Sequence, residues 1–99
     1  MKIIKRNGSE AVFDITKIIS AISKANKVVP EAQRLTKQQI IEISDHVQEV
    51  CFARGHAMNV EEIQDIVEDA IMATGAYEVA RKYITYRYVQ SLSLIHIWR

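Results

Sequence analysis

Apolar and polar positions follow two patterns along the chain: a short alternating stretch at the front, then four stretches with helical spacing. Residues 2–6 and 10–13 are short, partly β-branched segments around Asn7-Gly8, a dipeptide that tolerates positive φ and suits a tight hairpin turn. Asp14 then offers an N-cap carboxylate. Ile15, Ile18, Ile19 and Ile22 form one apolar stripe of a first helix reaching about residue 25. Asn26, Pro30 and the polar run to Arg34 mark a connection. Thr36 and Gln39 have capping-box spacing, and Ile40, Ile43, Val47, Val50 and Cys51 supply the inner face of a second helix that Gly55 ends. Asn59 and Glu62 repeat the capping logic, Met58 can staple against Ile63, and Ile63, Ile66, Val67, Ala70 and Ile71 face inward on a third helix. Thr74-Gly75 breaks that pattern, and residues 76–89 read as a fourth helix carrying Tyr77, Tyr83, Tyr86 and Tyr88.

An isolated two-stranded ribbon is marginal in water, and each amphipathic helix needs cover for its apolar face. The expected fold is therefore mainly α, with a small N-terminal β-hairpin packed as a lid on a four-helix body. A cleft between lid and body, lined by Lys5, Arg6 and Lys17, is the expected place for a phosphate-bearing ligand.

Composition narrows the function classes. At 99 residues, 48% hydrophobic and 25% charged, the chain fits one soluble domain with a single modest core. Thirteen basic and twelve acidic side chains leave a net charge of +1, which argues against a general nucleic-acid binder, so an anion site must be local. Charge is segregated: Lys2, Lys5, Arg6 and Lys17 come early, eight acids lie within residues 42–69, and Arg81, Lys82 and Arg87 come late. The basic ends can frame one pocket, or the pattern can be that of solvated helix faces. Cys51 is the only cysteine, which excludes an intrachain disulfide and a multi-cysteine zinc site and fits a reducing, cytoplasmic setting. No signal peptide and no apolar run of about 20 residues is present, so neither secretion nor membrane insertion is expected.

Catalytic motifs are missing: there is no GxxxxGK[ST] loop, no GxGxxG turn and no HExxH pair. His46 and His56 stand ten residues apart and His96 lies in the tail, so no metal site and no catalytic residue is expected. Cys51 sits on an apolar helix face and reads as a small hydrophobe. Glu61-Glu62 starts a helix, where the macrodipole favours acids, and Glu68-Asp69 fits a solvated face. The informative group is Lys5-Arg6-Asn7-Gly8 followed by Phe13-Asp14 and Lys17. Three cations and the free N–H groups of a helix start can converge there on a polyphosphate, although solvated turn charges give the same spacing.

The order of blocks is more specific than their composition. Ile3-Ile4-Lys5-Arg6-Asn7-Gly8, Phe13-Asp14, Lys17-Ile18, the run Val60-Glu61-Glu62-Ile63-Gln64-Asp65-Ile66-Val67-Glu68 and the run Ala80-Arg81-Lys82-Tyr83-Ile84-Thr85-Tyr86-Arg87 together resemble the ATP-cone family over about residues 2–90. The late blocks, with Glu62-Ile63-Gln64 and Tyr86-Arg87, look most like the cone of the oxygen-sensitive, glycyl-radical class of ribonucleotide reductase. The resemblance implies a regulatory domain, not itself an enzyme, that binds ATP or dATP as allosteric effector and reports to a reductase catalytic domain placed after it. It also allows homo-oligomers formed through cones. Magnesium can accompany the polyphosphate. Carried over residue by residue, it implies phosphate contacts from Lys5, Arg6 and Lys17 around the Asn7-Gly8 turn, Ile3 beside the base, and Asp14 and Gln64 on the nucleoside. Val60 stands where some cones have threonine and Val89 where some have a phosphate-binding lysine; Arg81, Lys82 or Arg87 are the substitutes at hand. A switch of this kind needs ATP and dATP to bind two states unequally, and a polar side chain left unpaired by the missing hydroxyl costs on the order of 1 to 3 kcal/mol.

Two other classes fit the helical pattern. One is a ligand-free helical protein-interaction domain. The other is the cone of a reductase-gene repressor, disfavoured because such repressors carry a cysteine-rich zinc ribbon ahead of the cone and no cysteine precedes it here. The domain is expected over residues 1–90. Residues 91–99 leave the family pattern, and residues 92–97, Leu-Ser-Leu-Ile-His-Ile, resemble the translation of a transposon-derived library adapter. They are read as a non-native tail, with the reading frame truncated before the catalytic domain. Re-amplifying the gene from its source should give codons that depart from this sequence after about residue 90; a native run through Arg99 would overturn that reading.

Overall fold

The computed structural model describes residues 2–5 and 8–93. Strands β1 (Lys2–Ile4) and β2 (Glu10–Val12) lead into helix α1 (Ile15–Lys27). After a 3-10 turn at Glu31–Gln33 come α2 (Lys37–Ala53), β3 (Met58–Asn59), α3 (Val60–Ala73) and α4 (Tyr77–Ser93). The expected lid on a four-helix body is present, with one addition. The ribbon is a three-stranded sheet of order β2-β1-β3, in which β1 pairs antiparallel with β2 and parallel with β3. Met58-Asn59 is too short to show alternation, and its pairing with Ile3 and Ile4 spans more than half the chain. Local pattern cannot reveal it.

Helix boundaries follow local chemistry. The Asp14 side chain accepts the Thr16 N–H, Thr36 and Gln39 form a reciprocal capping box, and Asn59 accepts the Glu62 N–H at 2.9 Å. Thus three of the four helix starts are set by side chains within three residues. The α1 helix runs two residues past the expected end, and its basic last turn, Lys24 and Lys27, complements the dipole. Asn26 explains the connection that follows, because its amide both donates to Leu35 O and accepts from Leu35 N–H.

The helices pack in a ring, α1 on α2, α2 on α3, α3 on α4 and α4 on α1. Their inner stripes form one core that includes Ile18, Ile22, Val47, Cys51, Ile63, Val67, Ile71, Val79 and Tyr83. The sheet closes one side of it through Ile3 and Met58, both fully buried. Met58 and Ile63 share that core, as a staple requires. Burial raises the Cys51 thiol above its ordinary pKa, which makes it a poor nucleophile. No helix among the described residues is long and apolar enough to cross a membrane. Ile22→Ala, which empties a fully buried site, should destabilise the fold by about 2 to 5 kcal/mol, while Thr36→Ala, which removes one cap, should cost about 1 kcal/mol. Urea unfolding of the two variants checks the order.

Candidate functional site

The site expected from sequence is built from the front ribbon and two helix starts. Lys5 leaves β1 half-buried; its N–H donates to Ser9 O at 2.8 Å and its carbonyl accepts from Gly8 N–H at 2.9 Å. Gly8 adopts φ +86, the left-handed conformation that the turn demands, with open space around it, so the requirement is conformational rather than steric. Arg6 and Asn7 lie outside the described residues.

Asp14 and Lys17 share the first turn of α1. Lys17 N–H donates to Asp14 O at 3.1 Å. The Asp14 carboxylate takes the Thr16 hydroxyl at 2.6 Å and the Thr16 N–H at 3.0 Å. Those two hydrogen bonds, the hydroxyl first, outweigh a small burial effect and with the Lys17 charge hold the carboxyl below its ordinary value of 3.8. The register Lys2↔Val12 places this turn after one end of the ribbon, while Lys5 follows Ile4 at the other end, beside Asn59 at the start of α3.

Ile3 is fully buried on the central strand, opposite Ala11 on one side and Met58 on the other. Val60, at the head of α3, is also buried. Gln64 is not a surface residue: it is 1% exposed, its Oε1 accepts the Tyr83 hydroxyl, and its Nε2 has no hydrogen-bond partner among the described residues. A signal for this burial was available. Gln64 lies in register with Val60, Val67 and Ile71 on one stripe of α3.

The late cations fall elsewhere. Arg81 is exposed and 3.7 Å from Glu78, and Lys82 is exposed. Arg87 meets Glu61 at 2.6 Å, Asp65 at 2.8 Å and Glu68 at 2.7 Å. Burial works against its charge, but the hydrogen bonds it donates to Glu61, Glu68 and Asp65 outweigh it and raise the guanidinium above its ordinary pKa. From sequence, Glu61 groups with Glu62 at a helix start and Glu68 with Asp69 on a solvated face. The spacing of Glu61, Asp65 and Glu68 puts all three on one face of α3, where Arg87 clamps α4 to α3. Val89, at the position where some cones carry a lysine, is exposed.

A separate cleft of about 570 Å³ between α2 and α3 contains none of the sequence-predicted residues. Glu42 and Asp69 face it with Arg54 and His46, a balance that does not suit a polyphosphate. His56 lies 3.4 Å from Glu62, an exposed pair near the start of α3. No grouping of three or more metal-ligating side chains occurs among the described residues.

The ATP cone domain model matches residues 1–92, nearly the whole chain. The chain is 41% identical over 91 residues to the ribonucleoside-diphosphate reductase subunit alpha of Chlamydia pneumoniae, covering 86% of this chain and 9% of that protein. It is 40% identical over 92 residues to the anaerobic ribonucleoside-triphosphate reductase of Haemophilus influenzae, covering 92% of this chain and 13% of that protein. A vitamin B12-dependent ribonucleoside-diphosphate reductase of Thermoplasma acidophilum is 31% identical over 96 residues, with 87% of this chain and 11% of that protein covered. The chain belongs to the ATP cone domain family and spans a small part of the reductases it matches.

Because the Asp14 pKa is lowered in the folded state, its cap stabilises the fold above the unfolded-state pKa and is lost as pH falls through the folded value. Thermal melts from pH 5 down to about pH 2 should therefore show an acid-side loss in the unaltered chain that is smaller in Asp14→Asn, whose amide oxygen keeps the cap at every pH.

Proposed function

We propose that this chain is an allosteric effector domain that binds ATP or dATP on behalf of a ribonucleotide reductase. The observation that carries the reading is the ATP cone match over residues 1–92. The Lys5 turn and the Lys17-bearing start of α1 support it as sources of positive charge. Lys5 and Arg6, beside the Asn7-Gly8 turn, and Lys17, from the start of α1, contact the phosphates, Ile3 lies by the base, and Asp14 and Gln64 meet the nucleoside. Because Arg87 is engaged by three carboxylates, Arg81 and Lys82 take precedence over it as auxiliary phosphate contacts. Magnesium accompanies the nucleotide as a counter-charge to the polyphosphate.

The domain itself performs no chemistry. It acts on a reductase catalytic domain in the cytoplasm, by changing domain order or assembly through cones. Identity does not separate reductase classes, since a diphosphate reductase and an anaerobic triphosphate reductase stand at 41% and 40%. Assignment to the anaerobic class rests on the Glu62-Ile63-Gln64 and Tyr86-Arg87 blocks.

Calorimetric titration of the chain with ATP and with dATP, with and without magnesium, tests the reading. Saturable binding is expected. A Lys5→Ala, Arg6→Ala variant should lose about a hundredfold in affinity through two charge-assisted contacts. A folded chain that binds neither nucleotide would favour a helical protein-interaction module instead.

A further inference from the structure

Most polar side chains near the front of the domain are either satisfied or open to water. Asp14 is both, since Thr16 supplies two donors and the group lies at the surface. Losing or gaining a ligand hydrogen bond there changes little, because water takes the vacant place. Gln64 differs. Its carboxamide sits in the core beside the β3–α3 junction, 1% exposed, with Oε1 bound and Nε2 unpaired among the described residues. A buried amide donor without a partner is destabilising and uncommon in native domains, and a ligand acceptor would account for it here.

The partner on Oε1 decides what Gln64 can recognise. A carboxamide left to rotate could offer either its donor or its acceptor to a ligand. Tyr83, itself 1% exposed on α4, donates its hydroxyl to Oε1 and so occupies the acceptor end. The group left without a partner among the described residues is the donor, Nε2. We propose that Tyr83 is a positioning residue for nucleotide recognition, holding the Gln64 carboxamide so that Nε2 meets an acceptor atom of the bound nucleoside. The inference rests on the nucleotide-binding reading above and adds to it the residue that sets the polarity of the contact. It also ties the ligand to the α3–α4 interface, because the hydrogen bond that orients Gln64 crosses between those helices.

A double-mutant cycle read by calorimetry tests this in the full chain. Tyr83→Phe and Gln64→Met should each weaken nucleotide binding by about tenfold. The double variant should be no weaker than either single one, because both remove the same oriented donor. Coupling seen with ATP but not dATP assigns the acceptor to the ribose 2′ oxygen; coupling with both assigns it to an atom the two share. The double variant should also melt higher than Tyr83→Phe alone, since Gln64→Met then removes the unpaired amide without stranding the Tyr83 hydroxyl. A purely structural Tyr83 would give losses that multiply to about a hundredfold in the double variant, and that result, or a Tyr83→Phe chain that binds as the unaltered one does, overturns the proposal. An unaltered chain that binds neither nucleotide overturns the nucleotide reading and this inference together. Should Tyr83→Phe fail to fold, the unaltered chain decides: the Gln64 side-chain amide resonances are expected to move on ATP addition, and resonances that stay in place at saturation overturn the proposal.

Discussion

Strand β1 has only three residues, too few for a stable ribbon with β2 alone, and it is held because β3 pairs with its other edge. That second pairing joins the front of the chain to the start of α3. It buries Ile3 and Met58 completely and aligns Ile4 with Asn59, the residue that caps α3. The turn carrying Lys5 is thereby fixed relative to the helix carrying Gln64, although they are far apart in sequence. Without β3 the ribbon would be a loose flap on the helical ring.

The other organising contact is the α3–α4 interface, where two polar devices lie one helical turn apart on α4. Tyr83 reaches inward to Gln64, and Arg87 gathers Glu61, Asp65 and Glu68 at the rim. Their energetics differ. The Arg87 cluster is partly exposed, so its charges keep much of their hydration while the clustered carboxylates lose their mutual repulsion. The buried Gln64 amide has no such compensation, and its donor is unsatisfied among the described residues. One device stabilises the helix pair. The other carries a cost in the free domain that a ligand acceptor would relieve.

This division bears on how a cone can respond to a ligand. A nucleotide changes an equilibrium only through interactions that differ between states. Partly exposed charges such as those on Lys5 and Lys17 attract polyphosphates in general and discriminate little among them. A sheltered polar atom discriminates sharply, because water cannot replace the missing partner. Placing such an atom at a helix interface gives a local contact a route to the packing of α4, the last element of the described chain.

What the sequence alone determined is the part governed by neighbours. Asp14, Thr36 and Asn59 cap their helices through contacts within three residues, Gly8 takes the positive φ its turn requires, and the isoleucine and valine stripes face the core because helical spacing leaves them no other way to avoid water. The cations at Lys5 and Lys17 were legible for the same reason, as residues adjoining a turn and a helix start. The tertiary structure decided what depends on which elements meet. Two residues at Met58 and Asn59 become a strand only because β1 lies beside them. Three acids become a cluster only when α4 delivers Arg87. Gln64 becomes a buried, half-satisfied amide only when Tyr83 closes over it. These pairings link residues 19 to more than 50 positions apart, and neither propensity nor periodicity encodes them, since each is settled by the packing of whole helices rather than by the chemistry of adjacent residues.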